Sequence, residues 1–128
     1  MSALVDLRDH LIREGVTTPI TLGRRPDTPD TIITLQSYPG DPGSLPDARG
    51  RPLDERLAVQ IVTRASDQAT AEAVAHDLYT RLPARHLTVN GRVYAWIEAN
   101  HYPAFMGVDA NGRPLVVLNV TARRHGLT

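Results

Sequence analysis

The run RLAVQIVTRASDQATAEAVAHDLYTRL, residues 56–82, contains one change of period that decides the fold. In RLAVQIVTR (56–64) the apolar Leu57, Val59 and Ile61 recur at every second position, the period of a strand with one buried face. Beyond Ser66 or Asp67, either of which can cap a helix, the spacing switches. Val74, Leu78 and Leu82 then fall on one helical face, with Ala71 and Ala75 beside them. Such a helix needs a sheet to cover, and the rest of the chain supplies the strands.

Upstream, Leu4, Leu7 and Leu11 have helical spacing within 3–14, with Ser2 as a possible N-cap and Gly15 where the helix ends. A short strand is expected at 19–23, and the run PDTPD at 26–30 is a turn by composition. TIITLQSY (31–38) is β-branched and aromatic, a strand by both criteria. Residues 39–52 hold four prolines and three glycines with almost nothing apolar, which predicts a long mobile loop. Downstream, 87–89 and 92–99 flank Asn90-Gly91, the pair that favours a type I′ hairpin turn. Another tight turn is expected at 109–114, and a last strand at 115–123. The order helix, strands, helix, strands predicts one α+β domain spanning 1–128, with mainly antiparallel pairing.

A chain of 128 residues can bury one core between a sheet and a few helices, and not two. Fourteen basic residues, all arginine, balance fourteen acidic ones. That neutrality argues against a protein that coats nucleic acid or binds membranes through a polybasic surface. No cysteine is present, which excludes a disulfide framework, a thiolate metal site and a cysteine nucleophile. The first residues meet charge too early for a signal peptide, and no apolar run reaches membrane-spanning length, so a soluble chain is expected.

The search for chemistry is negative. His10, His76, His86, His101 and His125 have no zinc-site spacing and no triad partner nearby, and read as surface or capping residues. His10 and His76, beside Asp9 and Asp77, fit solvated helix faces. Asp109-Ala110-Asn111-Gly112 has the start of a calcium loop but lacks its later ligands; a turn explains it better. No phosphate-binding glycine loop and no nucleophile elbow is present. The expectation is a non-enzyme with no catalytic, cofactor-binding or metal-binding residues.

Strand alternation assigns two faces to the sheet. Ile33, Leu35, Leu57, Val59, Ile61, Val93, Ala95, Ile97, Val116, Leu118 and Val120 should lie under the two helices. The other face should carry Ile32, Gln36, Tyr38, Gln60, Val62, Tyr94, Trp96, Val117 and Asn119. Two helices cannot cover both sides, and aromatic residues among amides suit a protein interface better than a dry core.

The features also have a recognisable order. A helix ending near Gly15 precedes Ile20-Thr21-Leu22-Gly23, then Pro26-Asp27-Thr28-Pro29-Asp30 and Thr31-Ile32-Ile33-Thr34. After a loop come Val59-Gln60-Ile61-Val62-Thr63-Arg64 and an alanine-rich helix from near Asp67. Gly107-Val108-Asp109, Arg113-Pro114 and Leu118-Asn119-Val120-Thr121 close the series. Over roughly 4–124 this layout resembles the phage minor capsid family, whose members look like tail-terminator proteins of long-tailed phages.

The resemblance implies a mixed sheet with both principal helices packed on one side. It also implies a homo-hexameric ring at the head-proximal end of the tail tube, which ends tail polymerisation and offers a surface to the neck. The implied partners are other copies of the chain, the tail tube protein and a head-completion or neck protein. DNA would only pass through the lumen, and no membrane or cofactor is involved. The expected location is the virion, in the tail and neck region, with assembly in the host cytoplasm. On this reading Arg24, Arg25, Asp27 and Asp30 would meet a neighbouring subunit, as would Tyr38, Tyr94 and Trp96 on the open face. Arg49 and Arg51 in the loop would meet the tube or line the lumen. The alternatives are another neck component, such as a head-closure or tail-completion protein, or a small cellular ligand-binding domain.

Overall fold

The computed structural model describes residues 3–38 and 54–125. The expected loop at 39–52, with Arg49 and Arg51, lies outside them. The elements run α1 (Ala3–Arg13), β1 (Ile20–Leu22), β2 (Ile32–Tyr38), β3 (Asp54–Arg64), α2 (Gln68–Arg81), β4 (Ala84–Val89), β5 (Arg92–Ala99), β6 (Ala104–Val108) and β7 (Pro114–His125). They form an α+β fold with a mixed sheet of seven strands, ordered β1-β2-β3-β7-β5-β4, and β6 also pairs with β7. Only β1 and β2 run parallel; every other ladder is antiparallel.

Both helices lie on the first face. Leu7 and Leu11 of α1 and Leu78 of α2 pack with Ile33, Leu35, Val59, Ile61, Leu118 and Val120. Ala71 and Ala75 of α2 meet Ala65 and Val116 in a smaller cluster, where small side chains let the helix approach the sheet closely. Asp67 caps α2 as expected, its carboxylate accepting the N–H of Thr70 at 2.8 Å. Asn90 and Gly91 both adopt positive φ, 52° and 78°, as the hairpin turn requires.

β6 is the element the sequence reading left out. Its pairing uses an edge of β7 that β5 leaves open, since β5 pairs with 120–124 and β6 with 114–117. Asn119 sits at the seam between them. Its carbonyl accepts the Asn100 N–H at 2.8 Å, and its N–H donates to His101 Nε2 at 3.2 Å. His101 therefore carries its proton on Nδ1, which donates to the Tyr102 carbonyl at 2.6 Å. Replacing His101 by alanine removes the acceptor for a part-buried backbone N–H. A loss of about 1–2 kcal/mol is expected, read as a lower midpoint of urea unfolding.

Two expectations about faces and exposure are corrected. The β5 ladder shifts register between Tyr94 and Trp96, so Tyr94 pairs with Arg124 and Trp96 with Arg123. The irregularity turns Tyr94 into the first-face core, where it is 2% exposed. His10 is not on a solvated face but buried, and its Nε2 donates to the Leu82 carbonyl at 3.2 Å, tying α1 to the end of α2.

Candidate interaction surface

The second face divides into a closed end and an open end. At the closed end Ile32, Thr34, Val62, Arg64 and Leu115 are all buried. Neither described helix lies there; the segment 24–30 covers it. Arg64 draws that segment down, donating from Nε to the Asp30 carbonyl at 3.2 Å. Its Nη2 donates to the carbonyls of Asp27 at 3.2 Å and Pro29 at 2.7 Å. Burial, with Arg113 nearby, lowers the Arg64 pKa from its ordinary value.

Arg113 ties the same segment to the turn between β6 and β7. Its Nε donates to Asp109 Oδ2 at 2.9 Å, Nη2 to Asp27 Oδ1 at 2.9 Å, and Nη1 to Asp30 Oδ1 at 3.0 Å. Asp109 also accepts the N–H groups of Asn111 and Arg113, both at 2.9 Å, so its carboxylate builds the turn. Burial alone would push that carboxyl up; these donors outweigh it and hold it below the ordinary value. Two turns that the sequence reading kept apart, 26–30 and 109–114, thus form one clasp. Asp27 and Asp30 remain exposed, Arg24 is exposed and Arg25 half-buried. Arg24, Arg25, Arg64 and Arg113 line an open hollow of about 380 Å³ beside the clasp.

The open end carries Gln36, Gln60, Asn119, Thr121, Arg123 and Trp96, all half-buried. The Arg123 guanidinium stands 5.8 Å from the centre of the Trp96 ring, a cation–π arrangement. Trp96 also walls a shallow hollow of about 410 Å³ with Pro83, Arg85 and Glu98. Of the predicted contact residues, Arg24, Arg25, Asp27 and Asp30 gather around the clasp and Trp96 lies on the open platform. Tyr38 belongs to β2, where it pairs with Ala58. Among the described residues, no group of three or more histidines or acidic residues could hold a metal ion, and no helix is long and apolar enough to cross a membrane.

The site that sequence reasoning missed centres on Asp6, on the first face. This carboxylate is 1% exposed. It accepts from Arg92 Nε and Nη2, both at 2.6 Å, from Asn90 Nδ2 at 2.9 Å, and from the Tyr94 hydroxyl. Burial would raise its pKa; the donors Arg92, Tyr94 and Asn90 overcome that and set it below the ordinary value. Burial, with the bond to Asp6, pushes the Tyr94 hydroxyl up to about 12. The only signal in the sequence was an acidic residue in the first turn of a helix, which alone suggests solvent.

The same fold is found in a solved virion of a native gene transfer agent particle. One of its chains aligns over 98% of this chain and 96% of its own length, with a TM-score of 0.68 at 19% identity. A second solved chain aligns over 96% of this one and 92% of its own, with a TM-score of 0.63 at 15% identity. No curated protein matches. The architecture is therefore shared with a chain of that virion. The family model of bacteriophage tail terminator proteins matches residues 10–125, and the chain belongs to that family.

Proposed function

We propose that the chain assembles as a closed homo-hexameric ring at the head-proximal end of the tail tube. There it ends tail polymerisation and presents the surface to which the neck of the filled head joins. The observation that carries this reading is the family match, which spans 10–125 and so takes in the core, the clasp and the open platform. The platform around Trp96 has the mixed aromatic, amide and arginine character of a protein contact surface. Equal numbers of acidic and basic residues suit a ring through which DNA passes without being held. The partners are other copies of the chain, the tube protein and a neck protein. The clasp, through Arg24, Arg25, Asp27 and Asp30, is a second contact region.

The test is to remove the gene from the producing phage or prophage and measure tail lengths by electron microscopy. Tails that run past normal length without heads are the expected result. Headless tails of normal length would move the assignment to another neck component, and normal particles would overturn it. In the same system, Trp96→Ala is expected to fold normally but weaken assembly by about 2 kcal/mol, roughly thirtyfold. Assembly at the unmodified level would remove Trp96 from the contact surface.

A further inference from the structure

We propose that β6 of one copy lies beside β1 of the next, so that the sheet continues from subunit to subunit. The proposal rests on the ring reading above and names the two edges through which such a ring would close.

Among the described residues, the strand Ala104–Val108 is an edge whose only guards are a register shift between Phe105 and Gly107 and the preceding Pro103. It carries no charged residue, and Phe105, Met106 and Val108 are 49%, 45% and 58% exposed. Edge strands of proteins that stay apart usually hold a charge, a kink or a proline against pairing with another chain. The neighbouring edge, β4, has such devices. Arg85 and His86 are exposed on it, and His86, with a left-handed φ of 53°, interrupts the ladder to β5. Both edges have an irregular step, but β6 lacks charge and leaves three large apolar side chains exposed, which marks it as the edge fitted to a partner.

The opposite end of the sheet supplies a matching edge in the same chain. β1 is the terminal strand, and its sequence, Ile20-Thr21-Leu22, is also uncharged. The Pro19 carbonyl and the Gly23 N–H both bond to β2. Successive residues of a strand direct their backbone groups to alternate sides, so Ile20 and Leu22 turn theirs outward. At the other edge, the Asp109 N–H bonds inward to the Arg113 carbonyl, which turns the backbone of Val108 outward. Each end thus offers uncharged side chains and outward peptide groups, the two things an added strand needs. Because the edges lie at opposite ends of one sheet, their contact is head-to-tail, the kind that generates rings when the rotation closes. A tube protein would need an edge of its own; a second copy already has one.

The chain has no cysteine, so introduced pairs report only the contact under test. Met106→Cys or Val108→Cys would be combined with Ile20→Cys or Leu22→Cys, in all four combinations. Each purified protein would be oxidised and run under denaturing, non-reducing conditions, with native mass measured in parallel. At least one combination should give a covalent ladder from dimer up to the ring, while the single-cysteine chains stay unlinked. Val108→Pro, which removes an outward N–H and fixes φ at the strand's end, should abolish rings and leave the melting temperature within a few degrees. Disulfide dimers from Met106→Cys or Val108→Cys alone would mean that β6 pairs with itself, overturning the proposal. Rings without a ladder in any combination would overturn the edge pairing and leave the ring reading standing. A chain monomeric at every concentration would overturn both.

Discussion

Replacing Asp6 by alanine is expected to lower stability by about 3–5 kcal/mol, the range for removing one partner from a buried ion pair. The carboxylate is the shared acceptor of three donors that come from the β4–β5 turn and from β5: Asn90, Arg92 and Tyr94. Its removal leaves the Tyr94 hydroxyl buried without its acceptor and releases the hairpin from α1. The melting temperature should fall by about 10–20 °C. The pH dependence has a defined sign. The folded pKa of Asp6 lies below its unfolded value, so its stabilisation is complete above the unfolded pKa of about 3.9 and is lost as pH falls through the lower, folded value. Asp6→Asn should therefore differ most from the unmodified protein near neutral pH, and the gap should close as the pH falls through the lowered, folded pKa. Urea titrations at a series of pH values check this; a gap that is constant or widens in acid would refute the assignment.

Arg64→Met should have the second largest effect, a loss of about 2–4 kcal/mol. Arg64 is 2% exposed, and its hydrogen bonds go chiefly to backbone carbonyls of the 24–30 segment rather than to carboxylates. Methionine fills much of the same space but cannot donate, so three carbonyls lose their bonds while packing is largely kept. The segment should then open locally, exposing Ile32 and Val62 beneath it. Hydrogen exchange at 24–34 should speed up while the α2 amides keep their protection. Uniform acceleration would mean that Arg64 supports the whole core rather than this cover. Arg113→Met tests the same clasp from outside, and its smaller effect should be additive only in part, since both arginines hold Asp27 and Asp30.

The strands and helices that a reader can find in the sequence are those whose signal is local. The change of period at 64–68, the cap at Asp67 and the Asn90-Gly91 turn each act within a few residues, and each element formed where expected. β6 is different. Pro103 and Gly107 break its pattern, and it exists because β7 has an unpaired stretch of edge at 114–117. Tyr94 was placed on the wrong face because alternation counts residues, and one irregular step in β5 moves all later side chains relative to the earlier ones. Asp6 and His10 look like the polar side of a helix, and only partners more than seventy positions away make them internal. The clasp was half legible: both turns were visible, but Arg113, Asp27 and Asp30 come together only through the fold. The open platform was the most legible of the candidate surfaces, because Gln60, Trp96 and Asn119 follow plain alternation.

The position of β7 in the chain has a consequence for how the protein comes into being. It joins β3, β5 and β6, yet it is synthesised after all of them. Until residues 114–125 leave the ribosome, no strand joins β1–β3 to the β4–β5 hairpin, and α1 reaches it through Asp6. The sheet therefore closes only when β7 is added, and its long-range ladders make that step slow compared with helix formation. Emergence of 114–125 and closure of the sheet become one event.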